Sequence, residues 1–509
     1  MLKEKKPNIT HKTLSGFAWS FFGTGSQALL RILFLMILSR LLNPDDFGTV
    51  SVALIIVGFL NMVSELGIGS AIVQINELKE GHISTGFSFS IIFGFILSVL
   101  LWIGAPLFSS FFRIEELSNI LRALCFVIPI NSLSVVAENL MVRNLEFKKL
   151  ILRQLFSYVI GYGFVGIFLS LLNFGVWALV GATIGQAIVN TLVLLIIQPH
   201  PKKLFMNKKL LKELLFLGGG FTTASIGNYF ATQADNFIIG RWLGTFELGL
   251  YTRSYQLMVM PATLIGQTLD KVLFPTLSRF QNDISKLKQA FLRSFFIVGF
   301  ITLPLSVVSI LLAPEIIYIL LGSSWSGAVL PFQILAVGMF FRTSYKISDS
   351  LTRSLGAVYS RAWRQWVYTG LVVIGGLVGV KWGIEGVAFG VLLALSIHFI
   401  IMTSLSLQLI KISWIDIFKK ISKPLVISFI FGLEILIIKR ALFVYAFPNL
   451  IDLLIILCVL IITTGSLIFL PESITGNDIV WFKVTIRSYL IEKIKNLKQE
   501  KHLFNNEET

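Results

Sequence analysis

Arg40-Leu-Leu-Asn-Pro-Asp-Asp46-Phe-Gly48-Thr-Val50 and Arg241-Trp-Leu-Gly-Thr-Phe-Glu247-Leu-Gly249-Leu-Tyr251 are two copies of one motif, 201 residues apart. Arg40 falls on Arg241, Leu42 on Leu243, Asp46 on Glu247 and Gly48 on Gly249. Each copy closes a long apolar segment, turns at an acidic-x-Gly element and opens the next. A duplicated bundle of membrane helices with a site between its halves is the usual plan of a secondary transporter.

Composition agrees with a membrane bundle. Apolar residues make up 55% of the 509-residue chain and charged residues 14%, and mean hydropathy is +0.82. Soluble domains carry roughly 25% charged residues, so most of this chain faces lipid or other apolar helices. A spanning helix needs about 20 mostly apolar residues. Fourteen segments qualify, near 14–39, 49–74, 84–108, 118–142, 151–172, 175–198, 213–240, 249–277, 291–313, 329–352, 359–380, 384–410, 423–439 and 449–470. The fourth, seventh and tenth are the most polar, which places them at an interior rather than against lipid.

The repeat continues past the opening motif. Asn173-Phe-Gly175 resembles Lys381-Trp-Gly383, and Arg143 and Arg153-Gln154 resemble Arg353 and Arg364-Gln365, at offsets of 208 to 211. The expected fold is therefore an all-α polytopic membrane protein of about 14 helices. It has a six-helix lobe over 14–198, a second over 213–410, two further helices over 423–470 and a tail over 471–509. An even helix count per lobe makes the repeat parallel, related by an axis along the membrane normal.

The loops orient the chain. With the N-terminus inside, 31 Lys and Arg fall on inner loops and the tail, and 6 on outer loops. This satisfies the positive-inside rule and places both termini in the cytoplasm. It also accounts for the net charge of +16 without invoking nucleic acid, because anionic lipid holds such charge. The first apolar run, Leu14 to Leu42, is too long for a signal peptide. Residues 483–501 mix apolar side chains with lysines, as in an amphipathic helix on the membrane surface or a solvated tail. Cys125 and Cys458 lie in apolar segments, with no disulfide or metal spacing.

The stretches Ala234-Asp235-Asn-Phe-Ile-Ile-Gly240, Leu248-Gly249-Leu-Tyr251-Thr-Arg253-Ser-Tyr255-Gln256 and Val272-Leu-Phe-Pro275-Thr-Leu-Ser278-Arg279 come in order at the right helices. Together with Ser15-Gly-Phe-Ala-Trp19 and Ser39-Arg40-Leu-Leu, they make residues 14–410 resemble the polysaccharide flippases of the multidrug/oligosaccharidyl-lipid/polysaccharide exporter superfamily. The repeat-unit flippases for lipopolysaccharide, capsule and teichuronic acid are the group most resembled. The resemblance implies a bacterial inner or plasma membrane protein that is not an enzyme and uses no cofactor. It implies translocation of an undecaprenyl-diphosphate-linked oligosaccharide, with a polysaccharide polymerase and a chain-length regulator as partners.

Such a substrate sets a physical requirement. A diphosphate and a glycan lose their water in hydrocarbon, so their carrier needs a wet cavity lined by cations, hydroxyls and amides. Arg31 lies in the first segment, and Arg253 and Lys271 in the eighth. Arg342, Lys346 and Arg353 lie in the tenth, where the spacing 342, 346, 349, 353 aligns them with Asp349 on one helical face. These cations are the substrate-binding candidates; each has the alternative of an internal ion pair or an interfacial side chain. In peptidoglycan-lipid flippases of the same superfamily, basic residues of helix 1 and early helix 8 are important. Arg253 matches that helix-8 motif, and Arg31 matches by depth.

Glu65, Glu138, Asp235, Asp270 and Asp349 are candidates for ion coupling, or for bracing helix breaks and arginines. His398 reads as a satisfied polar residue. Amide and hydroxyl lining is available from Asn131, Ser132, Asn139, Asn228, Tyr229, Thr232, Gln233 and Gln267. Glycine pairs at 161/163/166, 181/185, 375/379 and 386/390 allow close helix contact, and Pro129 and Pro261 should kink their helices. Two alternatives remain open: a multidrug antiporter, whose cationic cargo would want acids in the cavity, and a membrane-bound glycan polymerase or ligase. The latter needs a large outer loop or a His-bearing catalytic face, and the outer loops near 106–117 and 314–328 offer neither.

Overall fold

The computed structural model describes residues 9–445 except 202. Side chains are described from 23 to 441, apart from 202, 221, 223, 224, 267, 268, 270–272 and 358. The described residues form helices and no strand. The first half contains α1 (Ile9–Leu41), α2 (Pro44–Glu65), α3 (Ile68–Gln74), α4 (Glu80–Phe112), α5 (Leu117–Leu124), α6 (Val127–Ser132) and α7 (Val135–Arg143). It continues with α8 (Phe147–Ser157), a π-helical segment over Tyr158–Phe164, α9 (Val165–Leu171) and α10 (Val176–Ile197). The second half contains α11 (Lys208–Trp242), α12 (Thr245–Arg279), α13 (Ile284–Leu311), α14 (Ala313–Leu320), a 3-10 turn over Ser323–Ala328, α15 (Val329–Val337) and α16 (Met339–Ser354). Then come α17 (Val358–Gly379), α18 (Gly383–Ile410) and α19 (Trp414–Tyr445).

Thirteen of the fourteen expected segments are helical here, and the one near 449–470 lies outside the described residues, as do Cys458 and the 471–509 tail. Nine helical stretches among the described residues are long and apolar enough to cross a membrane, or ten if the bent 117–143 segment is one span. The chain is thus a multi-pass membrane protein. Helices α11 and α12 are not among the nine. They are 35 residues each, and their midsections include side chains outside the described residues.

Three segments depart from simple spans. The second breaks between α2 and α3 at Leu66–Gly67, where Gly67 takes φ 68°, a conformation that glycine adopts without a Cβ penalty. The fourth bends by 41° between Ser132 and Val135, four residues later than the expected kink at Pro129. A proline has no N–H and leaves the carbonyl four residues earlier unbonded. Here that carbonyl is Cys125 O, at the break between α5 and α6, where it accepts from Ile128 N at 3.2 Å and Ser98 Oγ at 2.9 Å. The region read as an outer loop near 314–328 is largely helical and packed, with Trp325 fully buried.

The two copies of the opening motif meet each other. A Cβ on Gly48 would lie 1.7 Å from Thr245 O, and a Cβ on Gly249 would lie 1.9 Å from Pro44 O. Pro44 and Thr245, like Gly48 and Gly249, stand 201 residues apart. The contact is therefore reciprocal, as at an isologous two-fold interface, and it works only because both helices lack a side chain where the backbones touch. Similar glycine contacts join α17 to α18, through Gly375 with Gly390 and Gly379 with Gly386, and join Gly161 to the backbone of Gly185–Gln186 on α10. Gly218 on α11 packs on Gly67 at the α2–α3 break, with a hypothetical Gly67 Cβ 2.1 Å from Gly218 O.

Candidate functional site

A cavity of about 790 Å³ lies between the two halves, lined by α1, α8, the π-helical segment, α10 and α12. On α1 it runs from Gly23 to Arg31, and on α12 from Arg253 to Leu264. At 1.5 Å per residue, these stretches span roughly 12 and 16 Å. Arg31 and Arg253 both line it, with Gln27, Gln154, Gln186 and Gln256. Tyr158 and Tyr162 form its aromatic wall, stacked at 5.1 Å and 6°. The π-helical segment contributes this wall: with glycine at 161 and 163 its backbone packs close to α10 and Phe34. No acidic side chain is among the described lining residues.

Arg253 is held on two sides. Its guanidinium lies over the Phe47 ring at 4.8 Å, and Nη1 donates to Gln256 Oε1 at 2.6 Å. Its Nε is buried with no acceptor among the described residues. A buried donor left unpaired is destabilising, and an entering anion would relieve it. Arg31 is exposed on the cavity.

Above Arg253 the halves are sealed at the face that carries the α1–α2 turn. Trp325 Nε1 donates to Ser39 O at 2.9 Å, Arg40 Nη2 to Ile319 O at 2.9 Å, and Ser39 Oγ to Leu320 O at 3.3 Å. The Phe47 and Trp325 rings meet edge to face at 5.4 Å, and Thr245 Oγ1 donates to Asp45. Locally this follows from the α2 cap. Pro44 opens the helix, and Asp46 accepts the Asn43 N–H at 3.0 Å, leaving Asp45 directed at the partner half.

The remaining expected site residues divide by their partners. Arg342 is not on the lining of this cavity. It lies over the Tyr255 ring at 5.2 Å, and Tyr255 separates it from the space that Arg31 and Arg253 share. Lys346 packs along Gly266 of α12, its Nζ 2.8 Å from the position of a Cβ there. Arg353 pairs with Asp349 at 3.2 Å and lies over Phe274 at 5.1 Å, and Arg361 pairs with the same carboxylate. The one-face alignment of the α16 cations thus ends in an ion cluster at Asp349. The side chains of Asp270, Lys271 and Gln267 lie outside the described residues.

Among the acids, Asp235 is buried and accepts from Tyr251 Oη at 2.8 Å. Glu138 accepts from Arg153 Nη1 and Nη2, at 3.1 and 3.2 Å. Arg153 reads from the sequence as an inner-loop cation, yet it is 5% exposed. Glu65 ends α2 with an exposed side chain. Arg143, another expected loop cation, donates to the carbonyls of Ile72, Val73, Ile75 and Asn76, and so caps the end of α3. His398 is buried between the rings of Tyr345 at 4.9 Å and Tyr368 at 4.5 Å. Its Nδ1 has no hydrogen-bond partner among the described residues.

These features define a multi-pass helical carrier with a cationic cavity between two halves. The chain belongs to the polysaccharide biosynthesis protein family, whose model matches residues 37–330. It is 23% identical to the teichuronic acid biosynthesis protein TuaB of Bacillus subtilis, over 84% of this chain and 89% of that one. It is likewise 23% identical to the lipopolysaccharide biosynthesis protein WzxC of Escherichia coli, over 77% and 80%. In fold it is similar to the lipid II flippase MurJ in an inward closed conformation, with a TM-score of 0.71, 17% identity and coverage of 89% and 98%. It is also similar to an inward-facing transporter of the multidrug resistance MATE family, with a TM-score of 0.61, 18% identity and coverage of 76% and 94%.

Proposed function

We propose that the chain is a flippase that carries lipid-diphosphate-linked oligosaccharide repeat units across the bacterial inner or plasma membrane. One observation carries the reading: Arg31 and Arg253 face a single cavity whose described lining holds no acid. Two cations sharing a space of low dielectric repel each other unless an anion or water fills it. A diphosphate suits that space, because charge-assisted arginine–phosphate bonds are strong and geometrically selective. The same lining disfavours a cationic drug, whose carrier would set acids there. The family and the names of the relatives support a role in polysaccharide assembly.

In this reading, residues 14–198 and 213–410 are two equivalent lobes. The reciprocal Gly48 and Gly249 contact supports their two-fold relation. The bias of basic loops places the α1–α2 face outside and both termini in the cytoplasm. The seal at that face then closes the outer side, and the conformation is inward-facing. Arg342, Lys346 and the Asp349 cluster act as a second rank: held by tyrosines and carboxylates here, they become available if α16 shifts against α12. Asp235, Glu138 and Glu65 are the candidates for ion coupling.

Disrupting the gene in its host is expected to halt glycan export and to accumulate the lipid-linked oligosaccharide in the inner leaflet. A wild-type copy restores export, and an Arg31→Ala/Arg253→Ala copy, inserted at normal level, does not. Undiminished export by the disrupted strain, with no other carrier for that glycan present, would exclude the role.

A further inference from the structure

The cationic cavity has a neighbour. A chamber of about 370 Å³ lies inside the first half, walled by α2, α6, α7, α8 and α10. Gln154 and Gln186 line both spaces, so the two adjoin across these side chains. The chamber is small for a ligand pocket and unusually rich in amides for the interior of a membrane bundle. Asn61, Asn131 and Asn190 line it beyond the two shared glutamines, and the Glu138–Arg153 pair closes one wall.

Polar side chains inside an apolar bundle are costly and mark function by default. These amides are only lightly used by the protein. Asn131 Nδ2 donates to Asn61 Oδ1 at a long 3.3 Å, and Asn190 Oδ1 accepts from Ser157 Oγ at 3.4 Å. An amide offers two donors and two acceptor lone pairs, so most of this capacity faces the chamber. The lining is thus matched to a ligand with many neutral groups, each both donor and acceptor. Sugar hydroxyls have that character. An inorganic cation would use acceptors only, and the one carboxylate present is already bound to Arg153 Nη1 and Nη2. The stacked Tyr158 and Tyr162 rings, on the cavity wall at the approach, offer an apolar surface for a sugar's C–H face.

We infer that this chamber is the glycan-head subsite, receiving the sugar nearest the diphosphate while Arg31 and Arg253 hold the phosphates. The inference rests on the diphosphate reading above and adds to it a physically separate place for the sugar. Recognition there is neutral and hydrogen-bonded, so it selects the saccharide, whereas the cations select the class of lipid.

The test is binding of two probes to the purified full chain in nanodiscs: farnesyl diphosphate, and farnesyl diphosphate bearing one N-acetylglucosamine. Wild type should bind the glycosylated probe more tightly. Asn131→Leu/Asn190→Leu, which keeps the branched side-chain shape and removes the amides, should lose roughly tenfold or more of that affinity and bind farnesyl diphosphate unchanged, which also reports intact folding. Arg253→Ala should lose both probes. The subsite is overturned if the sugar adds no affinity in wild type. It is also overturned if the double variant retains the sugar increment, or loses both probes equally. Failure of wild type to bind farnesyl diphosphate, or equal binding by Arg253→Ala, would instead overturn the diphosphate reading.

Discussion

Residues 40–50 and 241–251 are the same motif read twice, and they do different things. Their backbones behave alike: each presents a glycine to a carbonyl of the other, in a reciprocal contact. Their side chains have diverged. Arg40 reaches across to Ile319 O and latches the halves. Arg241, its counterpart, lies over Phe111 at 5.2 Å and Trp242 at 5.7 Å. Asp45 takes a hydrogen bond from Thr245, while the residue at the Asp45-equivalent position is Phe246, which is exposed. Duplication preserves the contact that forms the interface and frees the rest to build a one-sided seal above a one-sided cavity.

Breaking the shared part should have the largest effect, and should have it twice. Gly48→Ala and Gly249→Ala each drive a methyl into a backbone carbonyl that has no flexible side chain to yield. Both should abolish export with the protein still inserted. In a background lacking Cys125 and Cys458, each should also expose Gln256→Cys to a membrane-impermeant maleimide added outside, where the unsubstituted glycines block it. Loss of export in one variant and normal behaviour in the other would show that the contact is not a symmetric element.

The ion pairs differ between the halves in burial, and the next effect follows. Arg153 is 5% exposed while Glu138 is 43% exposed, so Glu138→Ala leaves a buried guanidinium without its acceptor and should cost about 1–3 kcal/mol, read as a fall in thermal stability in detergent. Asp349→Ala releases Arg353 and Arg361, whose side chains are 32% and 37% exposed. They reach water, and the loss should be clearly smaller. Equal losses would contradict the burial argument.

The smallest effects separate the diverged arginines. Arg40→Ala removes one exposed hydrogen bond across the seal and should cost about 1 kcal/mol while raising outside labelling of Gln256→Cys. Arg241→Ala loses cation–π contact of similar size, about 0.5–1 kcal/mol, and should leave labelling unchanged. Labelling that rises equally in both would mean that the two copies share one role.

Much of this was legible in the chain. The 201-residue offset named residues that meet each other, and the glycine pairs marked the close crossings of α17 with α18. Arg31 and Arg253 do share a cavity, because intramembrane cations have few other places to go. What the chain did not disclose was pairing across space. Arg153 looks like a loop cation because it sits near Lys148 and Lys149, and nothing in its spacing reveals Glu138 on α7 opposite it. Arg342 sits on the same helical face as Lys346 and Arg353, yet Tyr255 from α12 stands between it and the cavity. The contact of Gly67 with Gly218 required the packing of α11 on the α2–α3 break. Of the chamber's amides only Asn131 stood out in the sequence; its convergence with Asn61, Asn190, Gln154 and Gln186 depends on several helices at once.

The central claim is that the arginines between the halves hold the diphosphate during translocation. Its most direct test is purified protein in liposomes, following transbilayer movement of a fluorescent prenyl-diphosphate-linked oligosaccharide. Wild type should move it and Arg253→Ala should not. Arg253→Lys should retain part of the rate, since it keeps the charge and loses the bidentate fork. Movement by correctly reconstituted Arg253→Ala at the wild-type rate would contradict the account.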